Sequence, residues 1–404
     1  MKVVTNPPKV DEVVNSRFIE KIYPSRAVFR ETLLAGKRLT IYHGVDPTSP
    51  DLHLGHSTNY LFLKMLQDLG HRIVLLIGDF TARVGDPSGR LSARKSLTEK
   101  EILKNSKYYK EQAGKVLDFK SKTNPAEVAF NSKWLEELRF GEILRLMSHF
   151  TLAQVIERDM FQERMKKNKP IYLHEFIYPL LQGYDSVGLD TDAEVGGTDQ
   201  TFNMLMGREI VKLYEGKEKF VITTPLLVSA DSDKKLMSKS EGGYVGLNDF
   251  PGDMFGKVMA IPDTYVIPCF TLCTRVPDTE IKKIRTFVKK SEGRRDAKAQ
   301  LAYEIVKLYH GESAAEKAGR EFNKVFQRKE QPSKIRTVKL EKLDTDIVGV
   351  LVKSGLASSK SGAHRLIKQG GVKINNRKIL EPKTLVNDGD VVKAGKRHFI
   401  RIAI

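Results

Sequence analysis

Apolar positions along the chain follow two periods, and their order sets out an α/β fold. Leu39-Thr40-Ile41-Tyr42 reads as a strand, after which Leu61, Phe62, Met65, Leu66 and Leu69 recur at helical spacing until Gly70 closes the pattern. Ile73-Val74-Leu75-Leu76-Ile77 is an unbroken apolar run, as expected of a parallel strand buried on both faces, so the three segments make a βαβ unit. Further on, Glu194-Val195-Gly196-Gly197 reads as a strand end before a helix start that Thr198 or Asp199 can cap, and Phe220-Val221-Ile222-Thr223 as another strand. Residues 1 to 37 read as a helical preamble, with amphipathic patterns over Val10 to Tyr23 and Ala27 to Leu34, and residues 91 to 168 as mostly helical. Residues 245 to 330 are helical again, with Ala302, Ile305, Val306 and Tyr309 as one apolar stripe. From about residue 345 the pattern shortens to two helices around Val348 to Val352 and Ala363 to Ile367, a hairpin over Gly370 to Arg377 and a turn at Asn387 to Asp390.

The expected architecture is therefore a Rossmann-like parallel-sheet domain over residues 1 to 244, with a connecting insertion at about 120 to 170. A helical domain follows over 245 to 330, then a linker at 331 to 344 and a small α+β domain over 345 to 404. A chain of 404 residues with 40% apolar content buries ample core for such a division. Nothing in it reaches the run of about 18 apolar residues that spans a bilayer, and the N-terminus has no apolar signal region, so the expected location is the cytoplasm, with no membrane partner. Only two cysteines occur, Cys269 and Cys273, and their spacing without partner histidines gives neither a disulfide framework nor a zinc site. No protein-held metal is expected.

Charge changes the picture for the last third. Net charge is +18, but residues 278 to 340 hold 17 Lys+Arg against 9 Asp+Glu, and residues 341 to 404 hold 13 against 6. Those segments carry +8 and +7, leaving +3 for the first 277 residues. The field that attracts a polyanion belongs to the C-terminal third, which points to a nucleic acid, with a solvated lysine-rich surface as the plainer alternative.

Candidate chemistry gathers at the strand-to-helix turn Asp46-Pro47-Thr48-Ser49-Pro50-Asp51-Leu52-His53-Leu54-Gly55-His56. Such a turn aims unpaired N–H groups and the positive end of a helix dipole at the carboxyl edge of a sheet, where an anion binds. Gly55 leaves the backbone open to approach, and His53 and His56 can direct two imidazoles at one phosphate. Alone, a His-x-x-His is an ordinary surface pair. A second motif, Lys235-Leu236-Met237-Ser238-Lys239-Ser240, follows later in the chain. Between the two, Gly85-Asp86-Pro87-Ser88-Gly89 is a turn that lifts Asp86 toward the same edge. Tyr178, Gln182 and Asp185 share one helix face among Phe176, Ile177, Leu180 and Leu181, provided that Pro179 does not kink the axis between them.

The two motifs, in this order and at this separation, resemble the signature sequences of class I aminoacyl-tRNA synthetases, and the further matches resemble the bacterial-type tyrosyl-tRNA synthetases along nearly the whole chain. The last domain resembles the S4 RNA-binding domain, and the resemblance implies that the helical domain before it is of the anticodon-binding type. The resemblance implies activation of L-tyrosine by ATP with Mg²⁺, transfer to tRNA(Tyr), no tightly bound cofactor, and a homodimer built through the connecting region together with the segment around Phe150 to Met165. It also implies roles. His53, His56 and Thr48 hold the phosphates in the transition state, with Lys239 of the second signature. Asp46, Gly55, Gly197, Asp199, Gln200, Lys235, Met237 and Ser238 complete the ATP site. Tyr42 and Asp185 take the substrate phenol hydroxyl, and Asp86, Tyr178 and Gln182 surround its α-ammonium. Two positions depart from the pattern: His43 stands where some members carry Cys, and Leu236 where a first lysine is usual, so Lys234 or Lys235 substitutes. Two rivals are a tryptophanyl enzyme, which shares fold and signatures, and a noncatalytic RNA-binding protein that keeps the synthetase fold.

Overall fold

Six strands make the principal sheet of the computed structural model, which describes residues 3–88, 97–229, 232–235, 244–288, 293–326, 335–340, 346–357, 359–395 and 398–404. They are β1 (Lys21–Tyr23), β2 (Thr40–Val45), β3 (Arg72–Ile77), β4 (Glu127–Phe130), β5 (Ala193–Gly197) and β6 (Phe220–Thr224), in the spatial order β1-β6-β5-β2-β3-β4. From β2 to β6 every pairing is parallel. Ile73 to Ile77 are all buried, as an unbroken apolar run requires when both faces are covered. The chain runs outward through β2, β3 and β4 and then returns to β5 beside β2. The order reverses between β2 and β5, and ligands of open parallel sheets bind in the crevice at such a point.

Two strands depart from the expectation. β1 lies inside the presumed helical preamble, pairing antiparallel with β6 through Lys21↔Thr223, Ile22↔Ile222 and Tyr23↔Val221. β4 lies inside the presumed helical stretch, as the parallel edge strand beside β3. Each is too short to show an alternation of its own, and tertiary pairing outweighs the local pattern.

Three helices position the crevice residues: α1 (Ser57–Asp68), α2 (Leu173–Gly188) and α3 (Thr201–Glu215). α2 and α3 cross at Gly183 and Gly207, where a β-carbon on Gly183 would fall 2.5 Å from Ile210 Cδ1 and 3.0 Å from Gly207 Cα. Glycine at the crossing therefore lets the two backbones approach. After the sheet come the helices Pro251–Met259, Val266–Cys273, Asp278–Val288 and Gly293–His310, and the stripe of Ala302, Ile305, Val306 and Tyr309 is buried among them. Cys269 and Cys273 are free and buried on Val266–Cys273.

The chain divides into two compact units, Met1–Gly319 and Arg320–Ile404, so the sheet and these helices share the first. The second unit has its own core, built by Ile347, Val350, Leu351, Ala363, Ile367, Val372, Val392 and Ile402 among others. Its helices are Ile347–Lys353 and Lys360–Lys368. The hairpin turns at Asn375 and Asn376, both in the left-handed region (φ 48° and 66°), as a two-residue primed turn demands. Arg336–Lys339, within the stretch read as linker, is a strand paired parallel with His398–Ala403. Its sequence Arg-Thr-Val-Lys carries one apolar residue, too little for a strand signal.

Candidate active site

At the β2/β5 reversal a cavity of about 290 Å³ opens above the carboxyl ends of the strands. Asp46, Thr48, His53, Gly55, His56, Asp86, Tyr178, Gln182, Asp185, Gly197, Asp199 and Gln200 all line it, so residues up to 154 positions apart in sequence meet around one space.

The first signature folds as the expected strand-to-helix turn, but the N–H groups of His53, Leu54, Gly55 and His56 donate within the protein rather than standing unpaired. β2 ends at Val45, and a single 3₁₀ turn, Leu54–His56, leads into α1. His53 Nδ1 accepts from the Gly55 N–H at 3.1 Å, the His53 N–H donates to His56 Nδ1 at 3.2 Å, and the rings lie 4.1 Å apart. Burial, with His53 and His43 alongside, lowers the His56 pKa well below the ordinary imidazole value, so it meets a ligand as a neutral ring.

The polar wall is built on α2. Pro179 lies in the helix interior, yet the helix continues through it, and Tyr178, Gln182 and Asp185 all face the cavity. Tyr178 donates to Asp46 Oδ2 at 2.9 Å, and Thr81 Oγ1 donates to Asp46 Oδ1 at 2.7 Å. Asp86 accepts from the Ser88 N–H and from Gln200 Nε2, each at 2.8 Å. Asn203 Nδ2 bridges Gln182 Oε1 at 2.8 Å and Gln200 Oε1 at 3.1 Å. Asp185 accepts from Trp134 Nε1 at 2.8 Å and Asn131 Nδ2 at 3.2 Å. Burial nevertheless pushes its carboxyl pKa well above the usual range, with those two hydrogen bonds working against the shift.

Other expected residues are placed differently. Tyr42 does not line the cavity: it is fully buried beneath it against Val74 and Leu76, and its hydroxyl lies 2.9 Å from Ser186 Oγ. Gly197, not Thr198 or Asp199, occupies the cap of the short turn Thr198–Gln200, and no side chain caps it, because the strand leads directly into a 3₁₀ turn. Lys235 ends the strand Ser232–Lys235, while Met237, Ser238 and Lys239 lie outside the described residues.

Several residues escaped the sequence reading. Asn131 and Trp134, which hold Asp185, come from the stretch read only as helical. Lys219, fully buried, donates to Glu194 Oε2 and Ser186 Oγ, although Glu215-Gly216-Lys217-Glu218-Lys219 looks like a solvated turn. Glu194 is buried like its strand neighbours Ala193 and Val195, a placement that a charged side chain does not announce. His43, noted in the sequence only as a departure from the family pattern, also lines the cavity, with Nδ1 2.8 Å from the Val195 carbonyl and Nε2 3.4 Å from Asn59 Nδ2.

A crevice that pairs a histidine turn with a wall of carboxylates and amides, on a reversing parallel sheet, is built to hold a phosphorylated group beside a polar small molecule. The family of tRNA synthetases class I (W and Y) matches residues 34–327, and the chain belongs to it; the S4 domain matches residues 347–392. Its relatives include the tyrosine–tRNA ligase of Thermotoga maritima, 46% identical over 91% of this chain and 90% of that protein. The tyrosine–tRNA ligase of Moorella thermoacetica is 43% identical over 96% and 94%. Among solved structures, a C-terminally truncated Aspergillus nidulans mitochondrial tyrosyl-tRNA synthetase superposes with a TM-score of 0.66 at 25% identity, covering 79% of this chain and 94% of that one. Among the described residues no helix is long and apolar enough to cross a membrane.

Proposed function

We propose that the protein activates L-tyrosine with ATP and transfers it to tRNA(Tyr), and that the cavity between β2 and β5 is where tyrosyl-adenylate forms. The observation that carries this reading is the buried Asp185, held by Trp134 and Asn131 in the cavity wall, because an acceptor there suits a phenol hydroxyl; an indole N–H donates to such a carboxylate too, as Trp134 does, so the choice of tyrosine over tryptophan rests on the likeness to tyrosine–tRNA ligases over 91% and 96% of the chain. In this assignment Asp86, Tyr178 and Gln182 surround the α-ammonium, and Gly197, Asp199 and Gln200 face the ribose and adenylate. Asp46, Thr48, Gly55, His53 and His56 face the phosphates, with Lys239 and its neighbours from the second signature. Tyr42, lying behind the lining, supports this wall from beneath.

The tyrosine carboxylate attacks the α-phosphorus of ATP, pyrophosphate leaves, and the terminal ribose hydroxyl of the tRNA then displaces AMP. No covalent enzyme intermediate is required, so the protein has to orient two reactants and stabilise developing phosphate charge. The Thr48 hydroxyl and the neutral His56 imidazole are suited to that, since neither carries a charge to be desolvated. Mg²⁺ enters as part of the nucleotide substrate, and among the described residues no cluster of three or more His, Cys, Asp or Glu stands ready to hold it alone. The basic helices after residue 277 and the S4 unit supply the tRNA surface, and two chains pair through the region of Phe150 to Met165. ATP-dependent attachment of labelled tyrosine to tRNA(Tyr) tests the proposal; attachment of tryptophan in its place, or of nothing, would overturn it.

A further inference from the structure

The cavity floor holds a charge pair to which the proposed roles give no task. Lys219, between α3 and β6, and Glu194, on β5, are both withdrawn from solvent, and the ammonium donates to Glu194 Oε2 at 2.5 Å and to Ser186 Oγ at 2.7 Å. Ion pairs taken out of water return little stability by themselves, so the placement calls for another reason. The fold makes room for it deliberately. A β-carbon on Gly207 would fall 2.7 Å from Lys219 Nζ and 3.1 Å from Gly183 Cα, so the ammonium passes where α3 has no side chain.

Both of its partners lead to the cavity. Glu194 lines it, and Glu194 Oε1 accepts from Gln182 Nε2 at 3.1 Å. An ionised carboxylate offers acceptors only, so this contact fixes which way the Gln182 amide faces and leaves Gln182 Oε1 for Asn203. On the other side, Ser186 Oγ joins the ammonium to the Tyr42 hydroxyl, and Lys219 Nζ lies 5.8 Å from the Tyr42 ring centroid. Burial lowers the Lys219 pKa while the charge of Glu194 opposes the shift, so each charge depends on the other.

We propose that Lys219 is a positioning residue of the amino-acid pocket, which through Glu194 sets the Gln182 amide and through Ser186 sets the Tyr42 hydroxyl before the amino acid enters. This rests on the reading of the cavity as the tyrosine site. Lys219 does not line the cavity, so its loss acts on capture of the amino acid and not on the phosphoryl step.

The test is tyrosine-dependent pyrophosphate exchange by the full-length protein, with Lys219→Met alone and combined with Glu194→Gln. Removing only the cation leaves a buried carboxylate without its partner, and the tyrosine KM is expected to rise by about tenfold or more with kcat little changed. In the double variant a neutral amide can still accept from Gln182, and KM is expected to return to within about threefold of the parent. An unchanged KM in Lys219→Met, or losses that simply add in the double variant, overturns the proposal. If Lys219→Met does not fold, the double variant decides: a parental KM supports the proposal, while a raised KM or a failure to fold overturns it. Absence of exchange in the parent protein would overturn the functional reading instead.

Discussion

Replacing Asp185 by Ala removes an acceptor that holds two donors within the protein and, in the proposed complex, receives a third from the substrate. Trp134 Nε1 loses its partner, whereas the Asn131 amide keeps its bond to Thr81 Oγ1 at 3.0 Å, so one donor is orphaned outright and the other in part. A buried donor without a partner costs about 1–3 kcal/mol. Burial also makes the ionised Asp185 carboxyl unfavourable, and its removal returns part of that sum, so the net loss of stability is expected near the lower end of the range. The effect on substrate choice has no such offset. A tyrosine phenol loses its buried acceptor and phenylalanine loses nothing, so discrimination is expected to narrow by about 1–3 kcal/mol, or roughly 5- to 150-fold in the ratio of kcat/KM. The assay is pyrophosphate exchange with tyrosine and with phenylalanine, run on parent and variant after urea unfolding has established that the variant is folded. An unchanged ratio in a folded variant would refute the placement of the phenol at Asp185.

Gly207→Ala puts a methyl group against Lys219 Nζ and Gly183 Cα and is expected to destabilise the protein by about 1–3 kcal/mol in urea unfolding, whereas Gly216→Ala, at a position with open space but a positive φ, tests backbone strain alone. His71 is fully buried, and its pKa is lowered to about 4, first by burial and then by Arg38. The unfolded chain therefore binds a proton that the folded chain refuses, and stability is expected to fall by up to about 3 kcal/mol as pH drops from about 6.5 to 4. In His71→Asn, which keeps an acceptor for the Leu39 N–H, the pH slope of unfolding should flatten; an equal slope would assign the loss to other groups. Ending the chain after Phe326 removes the S4 core and its Arg336–Lys339 strand together, and is expected to leave pyrophosphate exchange intact while abolishing tRNA charging; near-normal charging would contradict the assigned role of the tail.

What could be read from the sequence followed local rules. β2, α1 and β3 declare themselves because their buried faces are continuous, and the histidine turn follows as the link between them. The wall of Tyr178, Gln182 and Asp185 was legible from helical spacing alone, since the helix passes through Pro179 without separating them. Tertiary partners supplied the rest. β1 and β4 exist because a neighbouring strand pairs with them, and Arg336–Lys339 because the chain end returns beside it. Tyr42 carries nothing in its sequence to say that its hydroxyl is met by Ser186 below the cavity. Lys219 looks like a surface charge until the glycine crossing and the Glu194 carboxylate are seen together.

Exchange of labelled pyrophosphate into ATP, measured without tRNA and with each of tyrosine, tryptophan and phenylalanine in turn, tests the central claim most directly. The phenol site at Asp185, together with the likeness to tyrosine–tRNA ligases, predicts rapid exchange with tyrosine, little with phenylalanine and none with tryptophan. Exchange driven by tryptophan, or no exchange with any amino acid, would contradict it.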